Sequence, residues 1–362
     1  MVPDAFVREG QNTMMRPIGR LSPSTAYSFY LCPLKEVLRF NKVKAPLPLF
    51  PAARLGGAIH AVLEEASKNL IKNKVDFNER WIVNVKRIES LMRHIPVEQH
   101  LVPLEDSERT FEVKKIQTWE LVKEALSHIN YNEKPSLSIA ERLMISPSGS
   151  IGGRMDLILS NKNGAEIIDY KTGEVMDKTG SIKEEYKIQM KLYAALHHDI
   201  YSIWPKKLTL VSLSRRRHEV KFTPDECGKL LTDFKVKLEE VNRKILGGEP
   251  LGNLATPSPE ACKFCLYRPD CQSYWMKKED TEYWPKDVAG NVLEKTVSGM
   301  GLVRIVLENH GKKFIIRGLS TRHSLNDINP KYLVICNLSM DHFTGQFIEN
   351  PMTTVLYIKE KF

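Results

Sequence analysis

One stretch of the chain, residues 151–173, limits the fold most strongly, because it predicts a β-hairpin with converging polar side chains. Two apolar runs flank the turn sequence Asn-Lys-Asn-Gly at residues 161–164. Side chains alternate between the two faces of a strand, so Asp169 and Lys171 point the same way. Asp156 lies in the partner strand. A hairpin can therefore bring all three polar groups together at one edge of an otherwise apolar sheet.

Two carboxylates at one sheet edge repel each other unless a positive charge lies between them, and a divalent cation commonly fills that role. A lysine beside such a cation can stabilise a pentavalent phosphate or orient a water molecule. The alternative is an exposed turn with ordinary surface charges, since a short motif such as D-x12-D-x-K also occurs by chance. Asp169 ends a run that looks buried, Glu166-Ile167-Ile168, and this position favours a metal site.

Further motifs lie on both sides of the hairpin, and together they resemble the PD-(D/E)XK nuclease superfamily, specifically its RecB-like branch. That branch carries a helical His, an Asp, then (D/E)-x-K, and then Q-x-x-x-Y on a following helix. The resemblance covers about residues 20–275. The matching residues in this sequence, in the same order, are His60, Asp156, Asp169, Lys171, Gln189 and Tyr193.

The resemblance implies an α/β fold, a restriction-endonuclease-like core with a mixed central sheet. Two apolar series at helical spacing predict a helical insertion at residues 75–135, either as a cap over the site or as simple packing. The resemblance also implies that Mg²⁺ or Mn²⁺ is bound, and a neutral imidazole suits Mn²⁺ better than Mg²⁺. The implied metal ligands are His60, Asp156, Asp169 and the backbone carbonyl of Tyr170. The implied catalytic set is Asp156, Asp169, Lys171, Gln189 and Tyr193.

Five further side chains are weaker candidates for the same function. Glu141 lies in the predicted first core strand, residues 137–145, where the family often has a carboxylate near its site. Arg154 lies two residues before Asp156. The run Arg215-Arg216-Arg217 follows a predicted strand and is a candidate for phosphate contacts, although a solvated turn explains it equally well.

Three of the six cysteines form the pattern C-x2-C-x5-C at Cys262, Cys265 and Cys271. Three thiols in ten residues indicate a metal centre, and Cys32 is the candidate for a fourth ligand. The spacing alone leaves zinc and iron–sulfur open. The arrangement is similar to that of iron–sulfur RecB-like nucleases, such as the AddB nuclease domain and CRISPR-associated exonucleases, which implies a 4Fe–4S cluster.

The length of 362 residues accommodates two domains. We expect a lead-in at residues 1–20, the nuclease domain at 21–280 and a small β domain at 285–362. Five short alternating runs in the last segment predict a five-stranded barrel of the oligonucleotide-binding type. Its aromatic side chains serve either as stacking surfaces for bases or as the barrel core.

Lys and Arg exceed Asp and Glu by 53 − 44, giving a net charge of +9 and a pI near 9.1, which suits a polyanionic partner. No run reaches 18 uncharged apolar residues, so we expect no membrane partner. The N-terminus lacks a signal pattern, which predicts a cytoplasmic protein. The sequence has no G-x-x-x-x-G-K-S/T motif, so any helicase partner is a separate polypeptide.

These observations predict a metal-dependent DNA nuclease that hydrolyses phosphodiester bonds. The resemblance favours an exonuclease acting on single-stranded DNA in repair, recombination or defence against foreign DNA, together with other proteins of those processes. Two alternatives remain open. One is a non-cutting DNA-binding subunit of a larger nuclease–helicase complex, and the other is a zinc-stabilised interaction protein.

Overall fold

The computed structural model describes residues 15–129, 137–162 and 164–357. The chain forms two compact units. Among the described residues, the larger unit comprises Arg16–Val37 and Pro51–Glu249, and the smaller unit comprises Met15, Leu38–Phe50 and residues 250–357. Within the described ranges, no helix combines the length and apolar character needed to cross a bilayer.

The larger unit contains a mixed five-stranded sheet whose strands lie side by side in chain order, which confirms the predicted α/β class and mixed central sheet. Neighbouring strands pair antiparallel, except that the third and fourth strands are parallel and are joined by a helix, residues 184–201. The strands are β1 (Leu137–Ile145), β2 (Gly152–Asn161), β3 (Gly164–Lys171), β4 (Lys207–Ser212) and β5 (Arg217–Glu219). The helices that begin in this unit are α1 (Pro23–Leu31), α2 (Pro33–Phe40), α3 (Pro51–Ser67), α4 (Lys74–Arg93), α5 (Leu104–Ser107), α6 (Phe111–Ile129), α7 (Glu184–Tyr201) and α8 (Pro224–Leu246).

The apolar residues of β3 and β4 form the centre of this sheet, since Ile167, Leu208 and Leu210 have no exposed surface. Helix α7 packs against β1, β3 and β4 on one side and against α1 and α8. A capping box begins α8, because the Thr223 hydroxyl accepts a hydrogen bond from Glu226 N and the Glu226 carboxylate accepts one from Thr223 N. The predicted helical insertion is present as α4, α5 and α6 up to residue 129.

The smaller unit contains a seven-stranded sheet with the order β10-β11-β8-β7-β6-β9-β12. All five predicted strands are present, but two strands of two residues each are added, so the predicted count of five is wrong. Two-residue strands are too short to show alternation in a sequence. The strands are β6 (Val288–Val297), β7 (Val303–Asn309), β8 (Lys312–Leu319), β9 (Tyr332–Cys336), β10 (Ser339–Met340), β11 (Phe347–Ile348) and β12 (Thr354–Tyr357). The helices are α9 (Pro259–Lys263) and α10 (Gln272–Lys277).

Strand β6 pairs with β9 through its first residues and with β7 through its later ones, and its register with β7 shifts between Val292 and Glu294. Such irregularities bend and twist a sheet. The aliphatic side chains of β6–β9 form a buried core, in which Ile305, Ile316 and Leu333 are fully buried. Phe314 and Phe347 pack at the border of this core and remain half-buried.

A buried ion pair joins the α9–α10 segment to this sheet. Arg268 Nε lies 2.6 Å from Asp287 Oδ2, and the two side chains are 2% and 0% exposed. Asp287 also accepts hydrogen bonds from the Tyr274 hydroxyl and from the backbone N–H of Asn337, both at 2.8 Å. Arg268 donates to the Cys265 carbonyl at 3.0 Å. The ion pair therefore links the cysteine-containing segment to strands β6 and β9.

Candidate active site

The carboxylates of Asp156 and Asp169 lie where strands β2 and β3 stop pairing. The last Cα pair towards this end of the hairpin is Leu157 with Ile168, and the two aspartates are the next residues along the two strands. The backbone N–H of Tyr170 donates to Asp156 Oδ2 at 2.8 Å instead of to the backbone of β2. The divergence of the strands thus leaves room for both carboxylates at one edge of the sheet.

Asp169, Lys171 and Gln189 form a closed triangle of polar contacts. Lys171 Nζ lies 2.7 Å from Asp169 Oδ2 and donates to Gln189 Oε1 at 2.7 Å. Gln189 Nε2 completes the triangle by donating to Asp169 Oδ1 at 2.8 Å. The Asp169 and Lys171 side chains are only 6% and 12% exposed, so these contacts are shielded from water. The structure therefore brings together three of the predicted site residues.

Helix α7 presents three polar side chains at positions i, i+3 and i+7 on one face. Besides Gln189, Tyr193 donates to the backbone carbonyl of Arg154 at 2.6 Å, which fixes the helix against β2. Tyr186 lies under Lys171, whose Nζ is 4.3 Å from the centre of the ring. Burial raises the pKa of Tyr186, with help from Glu185, so the phenol stays neutral. Tyr186 was not among the predicted site residues, although its three-residue spacing to Gln189 was a usable signal.

His60 reaches the same edge from helix α3. Its Nδ1 lies 3.6 Å from Asp156 Oδ2. One helical turn earlier, a Cβ atom on Gly56 would lie 2.9 Å from Thr172 Oγ1, so this residue type permits the close approach of α3 to the segment after β3. Gly56 and Thr172 were also missed from the sequence, because only the packing shows that they touch.

Burial lowers the pKa of His60 below its usual 6.5, and the charge of Lys171 acts in the same direction, while Asp169 opposes both. The imidazole is therefore neutral at physiological pH, although 39% of the side chain remains exposed. A neutral imidazole has a lone pair that can bind a metal ion.

The donor chemistry of this edge fits a divalent cation. Asp169 Oδ2 is buried, and the contact that the described residues give it is the ion pair with the Lys171 ammonium at 2.7 Å. Across the described ranges, no three His, Cys, Asp or Glu side chains converge as a ready ligand group. The structure thus pairs His60 with Asp156 and pairs Asp169 with the Lys171 ammonium.

The remaining predicted residues lie around this group. Glu141 is on β1, and its side chain lies outside the described part of the structure. Arg154 has an exposed side chain on β2. Arg217 forms an ion pair with Glu166 at 2.9 Å. Arg215 lies 3.8 Å from Glu120, and Arg216 is exposed between them in the β4–β5 turn.

The four predicted cluster cysteines are divided between the two units. Cys32 follows α1 in the larger unit and is half-buried. Cys262 and Cys265 are 5% and 9% exposed, and Cys271 is half-buried at the start of α10, all in the smaller unit. Cys227 and Cys336 are fully buried.

Comparison with known proteins agrees with the geometry of the site. No curated protein gave a match to the chain. The family model of the PD-(D/E)XK nuclease superfamily matches residues 20–272, a span that includes all of the residues gathered at the sheet edge. That span is more than half of the 362 residues, and the superfamily indicates a nuclease. The chain therefore belongs to the PD-(D/E)XK nuclease superfamily.

Proposed function

We propose that the protein is a divalent-metal-dependent deoxyribonuclease that hydrolyses phosphodiester bonds of DNA. The observation that carries the proposal is the buried Asp169–Lys171–Gln189 triangle beside the His60–Asp156 pair. A lysine held in place at a carboxylate-lined sheet edge suits stabilisation of negative charge on phosphate.

We assign the binding of Mg²⁺ or Mn²⁺ to Asp156, Asp169, His60 and the backbone carbonyl of Tyr170. When bound, such an ion lowers the pKa of a coordinated water and polarises a phosphoryl oxygen. In its absence the ammonium of Lys171 supplies the positive charge that Asp169 needs. Metal binding at Asp169 would replace that charge and leave Lys171 able to turn towards a phosphate or a water.

Gln189 and Tyr193 are assigned as positioning residues in this mechanism. Gln189 holds both Asp169 and Lys171, so it keeps the carboxylate oriented when Lys171 moves. Tyr193 fixes α7 to the backbone of β2 and therefore keeps Gln189 at the correct distance from the strand end.

The test is incubation of the purified protein with end-labelled single- and double-stranded DNA and either Mg²⁺ or Mn²⁺. We expect Lys171→Met to reduce cleavage at least about 100-fold, because electrostatic stabilisation of a transition state contributes this much. The matched control is Lys229→Met, since the Lys229 side chain is 77% exposed on α8. DNA bound but left intact by the unsubstituted protein, with either metal, would instead support the non-cutting subunit.

We further propose exonucleolytic action on single-stranded DNA within a RecB-like branch, in repair, recombination or defence against foreign DNA in the cytoplasm. These assignments rest on the motif order of the sequence. The same labelled substrates test them, because shortening from one end, with little attack on closed circular single strands, distinguishes an exonuclease from an endonuclease.

A 4Fe–4S cluster ligated by Cys32, Cys262, Cys265 and Cys271 completes the proposal. Its support is the C-x2-C-x5-C spacing, in a segment that the Arg268–Asp287 pair holds in place. Anaerobically purified protein should absorb near ~400 nm, as expected of an iron–sulfur centre with Cys ligands. Cys262→Ser should lose iron, whereas Cys227→Ser should retain it. A colourless protein that contains zinc would assign zinc to the site instead.

A further inference from the structure

The smaller unit contains a cleft of about 300 Å³ that no part of the proposed active site uses. It lies between the segment before β6, the start of β8 and the β10–β11 loop. Four lysines line it, namely Lys278, Lys286, Lys312 and Lys313, against two aspartates. One of those aspartates, Asp287, is already neutralised by Arg268, so the cleft is positive.

The aspartate that remains, Asp280, is shared between two of the lysines. Lys278 Nζ lies 3.1 Å from Asp280 Oδ1, and Lys312 contacts the other carboxylate oxygen. Lys286 donates to the backbone carbonyl of Thr281. These contacts hold the ammonium groups around the cleft while leaving a surplus of positive charge for an anionic ligand.

Two aromatic rings contribute to the lining of the cleft. Phe314 and Phe347 both line it, with their ring centres 6.3 Å apart. Lys312 Nζ lies 5.4 Å from the centre of the Phe314 ring. Cationic side chains interleaved with aromatic rings are the pattern that binds single-stranded nucleic acid, because phosphates and base faces are recognised together.

Phe343 is a fully exposed residue of the β10–β11 loop, the loop that contributes to the lining of this cleft. It directly precedes Thr344, Gly345 and Gln346, which line the cleft. A single exposed apolar residue needs no explanation by itself. Beside a positive, partly aromatic cleft, however, an exposed ring is a natural surface for base stacking.

The loop that carries Phe343 is held in one conformation by Asp341. The Asp341 carboxylate accepts from Phe343 N and from the Thr344 hydroxyl, both at 3.0 Å, and it also contacts Arg317. Its backbone carbonyl accepts from Gly345 N at 2.8 Å. A ring on an ordered loop loses little conformational freedom when a ligand stacks on it.

We propose that this cleft binds single-stranded nucleic acid, with a base stacked on Phe343 and backbone phosphates held by the cleft lysines. The identity of the strand as DNA rests on the proposed function. The binding itself requires no cleavage, so it is tested separately from the nuclease activity.

The experiment measures fluorescence anisotropy of a labelled oligothymidylate with the full-length protein in EDTA. Phe343→Ala should raise Kd by roughly 5- to 150-fold, as expected for the loss of one base–aromatic stack. Phe343→Trp should restore tight binding. The matched control is Leu246→Ala, because Leu246 is a 75% exposed apolar residue at the end of α8 and should have no effect.

Salt dependence tests the lysines. In the double variant Lys312→Ala/Lys313→Ala, the slope of log K against log salt concentration should become shallower by about 0.7 for each phosphate that is no longer neutralised. Lys229→Ala should leave the slope unchanged. Equal Kd values for Phe343→Ala and Leu246→Ala, or an unchanged slope in the lysine variant, overturn the proposal. Binding that depends on Phe343 in a protein that never cuts DNA supports it and rejects only the nuclease assignment.

Discussion

Replacement of Asp287 by Asn removes one charge from the buried ion pair while keeping the shape of the side chain. Arg268 is 2% exposed and touches Asp287 through two nitrogens, at 2.6 and 3.1 Å. Removing one partner of a buried pair costs about 3–5 kcal/mol, because the other charge remains buried without compensation. The Asn amide group would also point N–H donors at groups that donate to Asp287, such as Arg268 and the Tyr274 hydroxyl, and these hydrogen bonds would be lost. We therefore expect Asp287→Asn to destabilise the smaller unit by at least about 3 kcal/mol.

Hydrogen exchange followed by mass spectrometry measures this destabilisation locally, without assuming that the two units unfold together. A change of about 3 kcal/mol corresponds to roughly 100-fold faster exchange. We expect that acceleration for amides of β6 and β9, which flank the Asp287 and Asn337 contacts. Amides of β3 in the larger unit should exchange as before and serve as the internal reference.

The matched control is Glu294→Gln in the same sheet. Arg304 Nη1 lies 2.6 Å from Glu294 Oε1, but the two side chains are 40% and 52% exposed. Exposed pairs contribute about 0–1 kcal/mol, so this variant should change exchange by less than about fivefold. If Asp287→Asn behaves like Glu294→Gln, the Arg268–Asp287 pair does not stabilise the unit and the reasoning is wrong.

Three other predictions concern single side chains. Burial alone would raise the pKa of Glu349, but hydrogen bonds from His323 and Ser320 and the charge of Arg322 lower it from 4.5 to about 2. Glu349 therefore contributes about 3 kcal/mol to the free energy of unfolding above pH 4.5, and this contribution is lost as the pH falls through about 2. The free energy of unfolding of Glu349→Gln, measured as a function of pH, should lack this component. Gly56→Ala should reduce cleavage with little loss of stability, because its Cβ, 2.9 Å from Thr172 Oγ1, would push α3 away from the strand end. Unchanged cleavage kinetics would show that the Thr172 side chain moves instead of the helix. Tyr193→Phe should lower the free energy of unfolding by about 1 kcal/mol through removal of one hydrogen bond, and a neutral result in chemical denaturation would mean that water replaces the hydroxyl.

Short-range sequence patterns predicted the secondary structure that carries the candidate site. The alternation along residues 151–173 predicted the β2–β3 hairpin, and the four-residue spacing of Gln189 and Tyr193 put them on one helical face. These inferences succeed because the side-chain periods of strands and helices depend only on the local backbone. The superfamily membership follows from the same motifs in order.

Only the tertiary structure decided which of these side chains touch. Lys171 contacts Asp169 and Gln189 at once, and the Tyr186 ring lies against the same ammonium, although the two helix residues are 15 and 18 positions away in the chain. The close approach of Gly56 to Thr172 and the burial of Arg268 with Asp287 likewise arise from packing between distant segments. The sequence determines which residues can ionise or pack. Which partner compensates each buried charge depends on how the helices and strands pack together.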